Sequence, residues 1–171
     1  MHAARPDAAV VFHTHMLGAT AVALTEQGLS TRLSQAGMYF HGTVATVDYN
    51  GFVDADEEGL RLCAAISHDT DVVLMRNHGV MVLAPTVAHA WHRLYFLERA
   101  ARLQVVATSQ GVPLVEVSEA VARRTCSQWR VLEGDIAEAL FASVRQGVAR
   151  TAVGPNTPIE RLATGPGPAS S

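Results

Sequence analysis

Charge is scarce in this chain of 171 residues: 17% are Asp, Glu, Lys or Arg, against about a quarter in an average soluble domain. Apolar residues make up 49%, so more surface than usual is available for burial between subunits, and a homo-oligomer is expected. The formal net charge is −3 and no Lys/Arg cluster occurs, which argues against a nucleic-acid or anionic-membrane surface. No apolar stretch approaches the roughly 20 residues that span a bilayer. Met1-His2-Ala3-Ala4-Arg5-Pro6 has no signal-peptide core, and a cytoplasmic location is the expectation. Cysteine is nearly absent: Cys63 and Cys126 make no disulfide framework.

What the chain does contain is a histidine pattern. Ala8-Ala9-Val10-Val11-Phe12-His13-Thr14-His15 is an apolar run ending in two histidines one residue apart. Side chains at i and i+2 leave the same face of a strand, so His13 and His15 can present both imidazoles to one ion. Further on, Val72-Val73-Leu74-Met75-Arg76-Asn77-His78-Gly79-Val80-Met81-Val82-Leu83 sets His78 in an Asn-His-Gly turn between two strand-like runs. Three neutral imidazoles would hold a divalent ion and leave positions open for a small-molecule substrate. Zinc is the first choice, and manganese or iron suit the same ligands.

Strands and helices alternate along the chain. A buried strand is expected at Ala8–His13, a helix at Leu17–Thr25 stopped by Gly28, and a short strand at Thr43–Val47 followed by the turn Asp48-Tyr49-Asn50-Gly51. Asp54 and Glu57 form a capping-box pattern for a helix to Ile66. Thr86 opens the clearest helix, ending near Thr108, in which Val87, Trp91, Leu94, Leu97, Ala101 and Val105 recur at helical spacing. Ser118–Gln146 reads as one helix or as two broken at Gly134. Residues 1–150 are expected to form one domain and 151–171 a disordered Pro/Gly/Ser-rich tail.

Other polar residues have plain readings. An isolated His-x-His pair usually means two partly buried histidines, and Asn77-His78-Gly79 by itself could be a hairpin turn. His89 and His92, three apart on the long helix, read as a solvated or interfacial helix face. Glu57-Glu58 reads as helix-start charge. No phosphate-cradling glycine repeat is present.

Three blocks together resemble the class II aldolase and adducin head-domain family: Arg5-Pro6-Asp7 leading into Val10–His15, Arg76-Asn77-His78-Gly79, and Ala90-Trp91-His92-Arg93-Leu94-Tyr95-Phe96-Leu97-Glu98-Arg99-Ala100. The resemblance implies an α/β fold, a three-layer α/β/α sandwich lacking its N-terminal part. It implies a divalent metal on His13, His15 and His78, and tetramers with sites near subunit boundaries. The implied activity is that of an aldehyde-lyase stabilising an enediolate of a small hydroxy-carbonyl substrate. A decarboxylase on the same scaffold and an inactive adducin-like association module are the alternatives. Family members carry an acid/base glutamate and an anion-binding loop upstream of the His-x-His strand. No residue here matches either, so activity of this chain alone is left open. Within the chain Tyr39, His41 and Glu26 are the acid/base candidates. The resemblance brings Gln35–His41 near the active site, which favours Tyr39 and His41.

Overall fold

The computed structural model of the protein describes residues 5–51 and 55–151. Residues 152–171, which hold nearly all of the expected tail, lie outside the described residues, as do Asp54 and the Glu57 side chain of the expected capping box. The elements run β1 (Val10–Thr14), α1 (Leu17–Ala23), α2 (Gln35–Met38), β2 (Val44–Val47), α3 (Ala55–Ala65), β3 (Val72–Met75), β4 (Gly79–Ala84), α4 (Val87–Thr108) and α5 (Glu119–Thr151). No described helix is long and apolar enough to cross a membrane.

The four strands form one mixed sheet in the order β1-β4-β3-β2. β3 and β4 are an antiparallel hairpin, and β1 pairs antiparallel to β4 with His13 opposite Met81. β2 runs parallel to β3, and α3 supplies the crossover that a parallel pair requires. Every residue of β3 is buried, consistent with its unbroken Val-Val-Leu-Met run.

Helices cover both faces, which gives the α/β/α layering. On one side Val72, Leu74, Val80 and Val82 pack with Ala19 and Val22 of α1, with Tyr39 and Phe40 after α2, and with Leu94, Leu97 and Ala101 of α4. On the other side Val73, Met75 and Leu83 pack with Ala8 and with Leu62 of α3. α5 lies outermost, against α4 and α2. The α4 N-cap is as expected: the Thr86 hydroxyl accepts from the His89 backbone N–H at 3.2 Å. α5 passes through Gly134 without a break, and Glu133 and Ala137 are both buried beside it.

α1 is tied to α4 by one carboxylate. Glu98 accepts from the backbone N–H groups of Gly18 and Ala19 at 3.0 and 2.8 Å. A negative charge at a helix N-terminus satisfies donors that the helix itself leaves unpaired. Burial works against that charge, but the two backbone bonds and Arg102 outweigh it and hold the carboxyl below its usual range. The joint begins three residues beyond His15, just past the end of β1.

Candidate metal centre

The two histidine motifs meet at one end of the sheet, where β1 ends beside the β3–β4 turn. His13, His15 and His78 stand with ring centroids 4.8 to 5.0 Å apart. One ligand nitrogen from each lies within 4.8 Å of the other two.

Local chemistry explains each ring. His13 sits on β1 and donates from Nδ1 to the Val80 carbonyl at 3.1 Å. That bond selects the tautomer whose Nε2 carries a lone pair. The Nε2 of His15 is 3.1 Å from the Nε2 of His13, close to the ~3.4 Å that separates two nitrogens bound tetrahedrally at zinc–nitrogen distances. His15 can come this close because residue 79 is glycine. A Cβ there would lie 2.5 Å from His15 Cδ2 and 2.7 Å from the Thr14 carbonyl oxygen. His78 is carried by the tight turn, in which Asn77 takes the left-handed conformation at φ 56°. Asn accepts that geometry more readily than most residues. The His78 Nδ1 is buried with no hydrogen-bond partner among the described residues, a position in which a polar atom is costly unless a water or ion meets it. Three converging imidazoles, one locked in its tautomer and one with an orphaned nitrogen, fit a divalent ion.

Tyr39 and His41 stand elsewhere, contrary to the expectation that they border this site. Tyr39 is fully buried; its hydroxyl donates to Glu133 and meets His92 Nδ1 at 3.1 Å. Burial and the neighbouring Glu133 carboxylate push its pKa far up, so it stays protonated. His41 pairs with Thr31 and Glu119 at 2.9 Å each. It lines a cavity of about 780 Å³ at the opposite end of the strands, between Ala8 and Ala84. That cavity also holds Arg5, Arg93, Arg123 and Arg130. Arg5 pairs with Asp7, Arg93 and Arg130 with Asp71 and Glu133, and Arg123 with Glu119. Glu26 lies after α1; its carbonyl accepts from Arg76 at 3.4 Å.

The buried network around Tyr39 was not expected from the sequence. Burial disfavours the Glu133 charge, yet hydrogen bonds and charge from Arg93, helped by Tyr39 and Arg130, hold the carboxyl at about 2. His92 is fully buried rather than on a solvated or interfacial face, and burial lowers its pKa to about 4. A second neighbour was also missed: the Tyr49 ring stands edge-on to His78 with centroids 5.9 Å apart. Its only trace in the sequence is an aromatic residue in the turn after β2.

Comparison with known proteins agrees with this fold. The profile of the family described as Class II Aldolase and Adducin N-terminal domain matches residues 1–105. Gamma-adducin of Rattus norvegicus is 33% identical over 109 residues, covering 64% of this chain and 15% of the adducin. An aldolase II superfamily protein from Pseudomonas syringae superposes with a TM-score of 0.79 at 32% identity, over 88% of this chain and 60% of that one. L-fuculose 1-phosphate aldolase from Glaciozyma antarctica PI12 shares the fold, with a TM-score of 0.62 at 19% identity, over 83% of this chain and 56% of the other. The chain thus spans less than two thirds of the length of each of these proteins.

Proposed function

Because the chain belongs to the class II aldolase and adducin N-terminal domain family, we propose that it carries the metal centre of a divalent-metal-dependent aldehyde-lyase, with His13, His15 and His78 as ligands. The observation that carries this reading is the convergence of the three imidazoles, with ligand nitrogens within 4.8 Å of one another. A divalent ion held there would supply a Lewis acid for the negative charge of an enediolate formed from a small hydroxy-carbonyl substrate. Neutral imidazoles leave the full charge of such an ion available for that task. The chain's own part is to hold three nitrogens in place, His13 through Val80 and His15 through the space above Gly79. None of the 171 residues is lysine, so none can form the Schiff base on which metal-free aldol chemistry relies. The reading does not rest on Tyr39 or His41, whose polar atoms are engaged at the other end of the sheet. A decarboxylase would use the same ligands and is told apart by release of carbon dioxide.

A second reading is favoured by the match to gamma-adducin over much of the same chain: a module that associates with other proteins and performs no chemistry. Exposed apolar side chains such as Leu17 on α1 and Leu103 and Val106 on α4 support a homo-oligomer under either reading. Metal loading separates the two. Zinc should bind the protein at one equivalent per chain and be lost when His13 and His15 are both replaced by Ala, with the helical circular dichroism retained. Zinc retained by the double variant would contradict the assignment, and association without any metal would favour the module.

A further inference from the structure

We propose that Tyr49 is the positioning residue for His78, a role that rests on the metal-centre reading above. The three imidazoles are not held alike. His13 is oriented by the Val80 carbonyl and His15 is seated over Gly79. His78 has no such anchor at Nδ1, which is buried and unpartnered among the described residues. Beside the other two imidazoles, what stands against its ring is Tyr49, at 5.9 Å between centroids and 64° between planes. In that edge-to-face geometry the positive edge of one ring meets the negative face of the other, a preference that fixes an angle as well as a distance.

The two residues before Tyr49 are in turn tied to their neighbours. Arg76, two positions before His78, donates its backbone N–H to the Val47 carbonyl at 2.8 Å, and its Nε pairs with Asp48 Oδ1 at 3.1 Å. Arg61 donates to the Asp48 carbonyl at 2.6 Å. Just ahead of Tyr49, the loop after β2 is therefore tied by Arg76 to the turn that carries His78 and by Arg61 to α3. Tyr49 remains 45% exposed, so the contact is not a by-product of core packing. A ring held in this way reaches the ligand geometry before the ion arrives, which removes an ordering cost from binding.

Zinc affinity measured by chelator competition, together with the visible absorption of the cobalt-loaded protein, tests the assignment. Tyr49→Ala should weaken zinc about tenfold, the scale on which residues supporting metal ligands act, and should change the cobalt bands. Tyr49→Phe keeps the ring and should stay within about twofold of wild type with unchanged bands. Asp48→Ala releases the side-chain tie to Arg76 without touching either ring and should weaken zinc in the same direction. Unaltered affinity in Tyr49→Ala, or a loss in Tyr49→Phe as large as in Tyr49→Ala, would overturn the role. Failure of wild type to take up zinc would instead overturn the metal centre itself. NMR relaxation of the His78 ring in metal-free protein then still decides the restraint: Tyr49→Ala should mobilise the ring, and an unchanged ring would refute the contact's role.

Discussion

At the scale of the residue, the site depends on one missing methyl group. Gly79 sits where a Cβ would lie 2.5 Å from His15, nearer than any ordinary contact. Gly79→Ala should displace His15 and weaken zinc at least about tenfold with little loss of helical signal; wild-type affinity in that variant would show that His15 is not held there. Titration gives a second residue-scale expectation. His92 falls from 6.5 to about 4 and Glu133 from 4.5 to about 2 on folding. Both are depressed, so their stabilisation is complete above about pH 6.5 and is lost on acidification, through His92 between pH 6.5 and 4 and through Glu133 below pH 4.5. Replacing His92 with Gln should flatten the dependence of Tm on pH between 6.5 and 4.5, and an unchanged slope would refute the assignment. The histidines of the centre were legible because each lies in a short local pattern. Glu98 and Glu133 were not, because their partners lie far along the chain, 79 residues away for Ala19 and 94 for Tyr39.

At the scale of the element, periodicity found most of the secondary structure and missed what depends on neighbours. β1, the β3–β4 hairpin and α4 with its Thr86 cap follow from apolar runs and capping chemistry. The short helix α2 was not anticipated, since four residues between Ser34 and Tyr39 are too few to show a period. The face of α4 alone does not show the burial of His92, which comes from the neighbours that close over it: Phe96 on the same helix, Tyr39 after α2 and Trp129 on α5. Of the two readings open at Gly134, one helix or a break, the structure shows one helix: Glu133 is pinned by Arg93 and Ala137 is fully buried, so packing on both sides carries the helix through. A Cβ at Gly134 would meet nothing within 4 Å. Gly134→Ala should therefore stabilise the protein by roughly 0.5–1 kcal/mol and raise Tm by about 1–4 °C. A lowered Tm would mean that α5 does not run straight through this point.

At the scale of the whole molecule, the sheet separates two polar regions. One end carries three imidazoles with nitrogens turned toward one another. The other carries arginines and carboxylates that neutralise one another and staple α4 and α5 to the strands. This division is half legible in the sequence: the Arg5, His78 and Ala90–Ala100 blocks identify the family and fold, but a resemblance along the chain does not say which end of the sheet a segment reaches, and within this chain Tyr39 and His41 lie away from the three imidazoles. The central claim is that the imidazole end is a metal centre. Elemental analysis of untagged protein and of its His78→Ala variant tests it most directly. About one equivalent of zinc or manganese per chain in the wild type, lost in the variant, is the predicted result; well-folded wild-type protein without metal after equilibration with either ion would contradict it.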